Sequence, residues 1–251
     1  TVCDLDDEAL FRMKNSIYPE RYGSWDNSIK LFNVSSCPEG SFDLIIIGTP
    51  PSSHLSILEN AITENPKAVL VEKPLCQPFN DNLDTIEHML SESGISGFIG
   101  YDHVVSDSVE NLTEKIKDNF FGEISYIDVE FREEWGGIFA AHPWLDGPHD
   151  SYLGYIERGG GALCEHSHAL NLWLHLASTS NSGKIISLKP TLKFEKSNGM
   201  NYDSISLINI ESKSGILGRV AQDVVTSPHS KKIMVQGTKA SAKLHLGHEG
   251  K

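Results

Sequence analysis

At 251 residues, 39% of them hydrophobic and 22% charged, the chain is long enough to bury a substantial core as one large domain or two ordinary ones. Its formal net charge of −13 argues against nucleic acid as a partner, because a phosphate backbone demands a basic surface. No apolar run approaches the roughly 20 residues needed to cross a bilayer, so no membrane partner is expected either.

The sequence opens on TVCDLDDEAL, which reads as the end of a strand running into a helix. It stops just after a strand-like stretch, KLHLGHEGK, and both ends read as cut. The four cysteines, Cys3, Cys37, Cys76 and Cys164, are widely spaced and form no CxxC pair. With no secretory signal in the sequence they read as free thiols, and a cytoplasmic location is expected.

Residues 42–48 (FDLIIIG) form a continuous apolar run with a glycine exit, as in a parallel strand covered on both faces. A helix over 52–64 follows, with Ser52 or Ser53 available as a cap and Leu55, Leu58 and Ile62 at helical spacing. The pattern repeats as a strand at 68–72, a helix at 80–92, a strand at 96–101 and a helix at 106–118. Alternation of this kind predicts a doubly wound parallel sheet, whose ligands sit at the carboxyl ends of the strands. Gly48-Thr49-Pro50, Glu72-Lys73-Pro74 and Tyr101-Asp102-His103 fall at those ends.

Beyond residue 120 the period changes. Residues 123–132 (EISYIDVEFR) alternate apolar and polar, and similar segments recur from Lys184 onward, which predicts a large, mostly antiparallel sheet. Residues 162–176 read as a single helix. The expected organisation is therefore α/β: an incomplete Rossmann-type domain over 1–103, then an α+β domain over 104–251.

Two segments stand out chemically. In VEKPL, Pro74 forces Lys73 into an extended conformation at a strand end, so that its ammonium points into the crevice. In GGGALCEHSHALN, Gly159, Gly160 and Gly161 permit close backbone approach. Glu165 and His168, three residues apart on one helix, would share a face, and a carboxylate beside an imidazole suits a general base. The stretch 142–161 is rich in aromatic and polar groups. Trp144, Tyr152 and Tyr155 are candidates to stack on a sugar ring, and Asp146, Asp150 and Arg158 to bind hydroxyls or a charge. A zinc set drawn from His142, Glu165, His166 and His168 lacks the spacing of paired helix ligands, so no metal is expected. His245 and His248 read as surface residues.

In this order and spacing, GTPPSSH, VEKPL, GYDHVV and GGGALCEHSH resemble the motifs of the glucose–fructose oxidoreductase/inositol dehydrogenase (Gfo/Idh/MocA) family. The resemblance covers nearly the whole chain, except that the family's glycine-rich turn would precede Asp4 and is not in this sequence. Glu165 stands where Asp is commoner, Asn171 where a second Asp often lies, and Asp102 replaces the usual Asn. The resemblance implies that Asp4 grips the adenosine ribose of NAD, with NADP disfavoured, and that Gly48, Thr49, Pro50, His54, Glu72, Lys73 and Asp102 line the rest of the cofactor. It further implies that Lys73, His168 and Glu165 are catalytic, and that Lys73, Trp144, Tyr152, Arg158, Glu165 and His168 meet the substrate. The implied reaction is hydride transfer between the nicotinamide and a ring hydroxyl or ketone of a sugar, sugar derivative or polyol, in a homo-oligomer joined through the second-domain sheet. An NAD-retaining glycosidase and a non-catalytic dinucleotide-sensing module on the same fold are the alternatives.

Overall fold

The structure, a computed structural model, describes residues 1–40, 42–79 and 82–247. His248 and the first two positions of the helix expected over 80–92 lie outside the described residues. The chain divides into two compact units, Thr1–Phe42 and Asp43–Lys251. The boundary expected at 103/104 falls inside the second unit, in a short 3-10 turn.

In the first unit, strands β1 (Val2–Asp4) and β2 (Leu31–Asn33) pair in parallel, with Cys3 opposite Phe32. Helix α1 (Asp7–Arg12) starts where Asp6 accepts the Glu8 N–H, as a cap should. A π-helical turn, Met13–Ile17, runs on into α2 (Tyr18–Tyr22), which Gly23 ends at φ 94°. After β2, a 3-10 turn at Val34–Ser36, capped by Asn33, doubles the chain back. This turn brings Cys37 to a Cα separation of 6.0 Å from Cys3, and the two form a disulfide. The expectation of four free thiols is thereby corrected: Cys76 and Cys164 are free, but the other two are joined by a register that local sequence does not encode.

The second unit begins with three parallel strands, β3 (Leu44–Ile47), β4 (Ala68–Val71) and β5 (Ser96–Ile99), in that order. Helices α3 (Pro51–Thr63) and α4 (Leu83–Ser93) cover one face, packing Leu55, Leu58, Ile62 and Ile86 onto Ile47, Val69 and Val71. Strand alternation turns Leu44, Ile46 and Phe98 to the other face, where they stay 50, 62 and 56% exposed. A 3-10 turn, Asp102–Val105, then leads into α5 (Asp107–Lys117).

The remaining elements are β6 (Ile124–Arg132), α6 (Gly136–Ala141), a run of 3-10 turns over 148–158, α7 (Gly161–Glu165) and α8 (His168–Thr179). Strands β7 (Ile185–Ser197), β8 (Met200–Ser212), β9 (Leu217–Asp223), β10 (Ser230–Gly237) and β11 (Ser241–Leu246) complete the chain. They build one sheet in the order β11-β10-β6-β9-β8-β7, antiparallel throughout except for β6–β9. Helices α5 and α8 lie on one face of it. Val109, Leu112, Trp173 and Leu176 pack there against Ile127, Val129, Val220, Ile233 and Val235. Parallel βαβ units followed by an α+β part with a large, mostly antiparallel sheet is the architecture the sequence pattern predicts.

Candidate active site

The carboxyl ends of β3, β4 and β5 carry Gly48-Thr49-Pro50, Glu72-Lys73-Pro74 and Gly100-Tyr101-Asp102. His54, on α3, is fully buried between the first two of these exits. Its ring nitrogens lie 2.6 Å from the Thr49 carbonyl oxygen and 3.0 Å from that of Pro74. His54 therefore acts on a ligand only through the two loops it ties together. At the third exit, a Cβ on Gly100 would sit 2.9 Å from the Glu72 carboxylate, so glycine lets that carboxylate lie across the strand ends. Gly159, at φ 90°, allows a similar approach from the other side, where a Cβ would meet Pro51 at 2.8 Å.

Lys73 reaches from β4 to the glycine-led segment 92 residues later. Its Nζ lies 2.9 Å from the Glu165 carboxylate and donates to the Glu165 carbonyl at 3.0 Å. The Tyr152 hydroxyl donates to the same carboxylate at 3.3 Å, and burial beside it raises the phenol well above its ordinary range. These contacts alter one expectation. The single helix predicted over 162–176 is broken at His166 and Ser167 into α7 and α8. The Glu165 carbonyl is taken by Lys73, and Ala169 N–H bonds to His166 instead. Glu165 and His168 consequently do not work as a shared helical face: Glu165 is turned to Lys73 and Tyr152.

His168 opens α8 in a largely apolar niche. Its ring stacks over Phe131 at 6.2 Å and meets the rings of Tyr101 and His103 edge-on at 5.5 and 4.7 Å. Burial, followed by the nearby Lys73 ammonium and His103, depresses its pKa to about 3, so the imidazole is neutral at physiological pH. Asp102 opposes that shift, with Oδ1 3.6 Å from His168 Nδ1. Tyr101 and His103 lie in the strand-end segment that the sequence pattern marks, whereas no local pattern marks Phe131.

Of the arm over 142–158, Tyr152 is the residue brought onto Glu165. Trp144 meets the His142 ring edge-on, and Arg158 lies over the Tyr155 ring. Asp4, in the first unit, ends β1 with an exposed carboxylate whose Oδ1 accepts the Asp6 N–H. The set His142, Glu165, His166 and His168 is not the one gathered. Among the described residues it is Asp102, His103 and His168 whose ligand atoms fall within 4.8 Å of one another.

A further buried acid supports the site from below. Asp203, on β8, is fully buried, with one oxygen accepting the Leu163 N–H of α7. Gly161, at φ 85°, leaves the space that its carboxylate fills. Burial raises its pKa to about 6, against partial opposition from the Leu163 N–H. The folded state therefore holds this proton more tightly than the unfolded chain. The resulting stability is complete below about pH 4 and is lost as pH rises through 6. Between pH 7 and pH 4, wild type is expected to gain about 2–3 kcal/mol relative to Asp203→Asn, read from urea midpoints at the two pH values. Parallel pH curves would refute the assignment.

The exits of the second unit fit a nicotinamide dinucleotide: a glycine-lined crevice at parallel strand ends, with an ammonium and a neutral imidazole close by. Comparison with known proteins agrees. Residues 15–101 match the family model described as "Oxidoreductase family, NAD-binding Rossmann fold". No curated protein matches the chain. Among solved structures, GenD2 from gentamicin A biosynthesis, in complex with NAD, aligns over 98% of this chain and 64% of its own, at 18% identity and TM-score 0.75. The WlbA dehydrogenase of Chromobacterium violaceum, with NADH and UDP-GlcNAcA, aligns over 97% and 65% at 20% identity and TM-score 0.74. An inositol dehydrogenase homolog from Azotobacter vinelandii, complexed with NAD+, aligns over 81% and 51% at 20% identity and TM-score 0.67. The chain thus spans less than two thirds of the length of each of these three structures. Over residues 15–101 the chain is similar to the NAD-binding Rossmann fold of the Gfo/Idh/MocA oxidoreductase family.

Proposed function

We propose that this chain forms part of an NAD-dependent dehydrogenase or reductase that interconverts a ring hydroxyl and a ketone on a sugar, sugar derivative or polyol. The observation that carries the reading is the meeting of Lys73 with Glu165, beside a neutral His168, at the carboxyl end of β4. Bound nicotinamide would supply or accept the hydride. Lys73, steadied by Glu165 and Tyr152, donates to the substrate oxygen and stabilises the charge that develops there. His168 accepts the hydroxyl proton during oxidation, for which its neutral state at pH 7 is the competent one, and the imidazolium is the form that returns the proton in the reverse direction.

On the cofactor side, Gly48, Thr49, Pro50 and Glu72 line the crevice. The Asp4 carboxylate accepts from a ribose 2′-OH and repels a 2′-phosphate, which favours NAD over NADP. Trp144 and Arg158 are the proposed outer contacts for the sugar. The preference for a sugar or polyol draws on UDP-GlcNAcA in the WlbA dehydrogenase and on myo-inositol in the inositol dehydrogenase homolog.

Fluorescence titration of the full-length natural protein with NADH and NADPH tests the reading. Tight NADH binding, weakened at least about tenfold by Asp4→Ala and by Lys73→Ala, is expected, each contact contributing about 1.4 kcal/mol or more. A folded protein that binds neither cofactor would overturn it.

Self-association is proposed through the sheet face turned away from α5 and α8, where Leu207 and Leu217 are exposed around the Arg219–Asp128–Glu130 ion pairs. No helix among the described residues is long and apolar enough to cross a membrane. A cytoplasmic setting remains part of the proposal. The Cys3–Cys37 bridge is the contrary observation, since such bridges persist mainly in oxidising compartments, and thiol alkylation in intact cells decides between them.

A further inference from the structure

We propose that Asp102 is the positioning residue of His168: its carboxylate holds the proton on Nδ1 and so leaves Nε2 as the nitrogen that exchanges a proton with substrate. This deepens the oxidoreductase reading and rests on it for the identity of the base.

Four observations converge on the pairing. The acid expected to serve His168, Glu165, is committed to the Lys73 ammonium and the Tyr152 hydroxyl. His168 Nδ1 is shut off from solvent and has no hydrogen-bond partner among the described residues, although a buried ring nitrogen ordinarily finds one. Asp102 Oδ1 stands 3.6 Å away, about 0.7 Å beyond a normal N–H···O bond. Its side chain is 78% exposed, so a small rotation into the crevice, as water leaves around a ligand, closes the bond.

The surroundings restrict the ring in other ways. Tyr101, the residue before the Asp102 turn, packs edge-on against the imidazole, and Phe131 of β6 stacks on it. Aromatic contact therefore fixes the ring plane, and only the site of the proton is left open. The charged and titratable groups that bear on His168 are Lys73 from the β4 exit, His103 and Asp102 from the 3-10 turn, and Lys231 from β10. Three of these oppose a positive charge on the ring, and Asp102 alone among them favours one. The same two ammonium groups, Lys73 and Lys231, disfavour a dication among Asp102, His103 and His168, which is why the trio is read as a proton-handling group rather than a metal site.

The departure from Asn at position 102 also acquires a reason here. A carboxylate accepts only, and so specifies one tautomer, whereas an amide can donate or accept and specifies neither.

The test compares full-length wild type with Asp102→Asn and Asp102→Glu by ¹⁵N NMR of histidine-labelled protein at neutral pH. Wild type is expected to carry the His168 proton on Nδ1, and Asp102→Asn to shift it to Nε2 or to a mixture. Asp102→Glu should restore the wild-type tautomer. In kinetics, Asp102→Asn should lower kcat about 100-fold while leaving the NADH dissociation constant within about twofold. The same tautomer in wild type and Asp102→Asn overturns the proposal. So does weaker NADH binding without a tautomer change, which would make Asp102 a cofactor contact. Loss of the wild-type signature on treatment with EDTA would give Nδ1 to a metal and overturn it as well. If the protein neither binds NADH nor turns over a sugar, the oxidoreductase reading fails on its own, and the NMR comparison still decides the pairing.

Discussion

Replacing Lys73 by Met is expected to cut turnover of the full-length protein by at least about 10³-fold, and to cost the fold about 3–5 kcal/mol. Catalysis falls because the ammonium is the proposed donor to the substrate oxygen, on which negative charge develops. Stability falls for a different reason. Lys73 and Glu165 are both largely buried, with side chains 16 and 13% exposed, and removing the cation leaves a carboxylate whose remaining hydrogen bond comes from the Tyr152 hydroxyl. The Glu165 carbonyl loses its partner in the same step. The two causes separate in a double-mutant cycle: Lys73→Met/Glu165→Gln should recover most of the stability, since a neutral amide tolerates burial, while turnover stays low. Denaturant midpoints and kcat for the four proteins read both axes. A Lys73→Met protein with wild-type stability would show that the pair contributes nothing to the fold.

The second large effect lies in the core that carries His168. Gly218 of β9 sits directly against the Trp173 indole of α8, whose Nε1 donates to the Ile127 carbonyl at 3.0 Å. Trp173 is fully buried, and a Cβ on residue 218 would occupy the position of its ring. Gly218→Ala is therefore expected to cost about 2–4 kcal/mol, combining overpacking with the loss of a buried hydrogen bond. Because α8 begins at His168, the displaced helix also moves the base, so kcat should fall more than the affinity for NADH. Pairing Gly218→Ala with Trp173→Phe, which removes the clashing ring, should restore part of the stability. Unchanged melting of Gly218→Ala would show that the sheet and α8 part more easily than their packing implies.

What the sequence made legible was whatever a local period encodes. The strands expected at 42–48, 68–72 and 96–101 fold as β3, β4 and β5, and the alternation at 123–132 folds as β6. Strand β2 is three residues long, too short for any period to register. The break between α7 and α8 was illegible because ALCEHSHALNLWL is continuous helical pattern; what interrupts it is a lysine 92 residues away in the chain. No sequence pattern marks Asp203; the packing of α7 on β8 makes it a buried acid. The Cys3–Cys37 bridge and the Asp102–His168 approach have the same character. Both join residues tens of positions apart, through strand ends that no sequence window contains.

The six-stranded sheet also constrains how the chain acquires its structure. Strand β6 is interior to that sheet, with β9 on one side and β10 on the other, so residues 124–132 find their neighbours only at 217–223 and 230–237. Roughly ninety residues of β6's future partners and intervening chain must follow it out of the ribosome, about 5–20 seconds of synthesis at typical elongation rates, before either edge is paired. Throughout that interval the alternating apolar face of β6, Ile127, Val129 and Phe131, has only α5 and later α8 to cover it. The helices on this face therefore act first as a shield for a nascent strand and only later as the platform for His168, and folding of this half is expected to be slow and to lean on holdase chaperones.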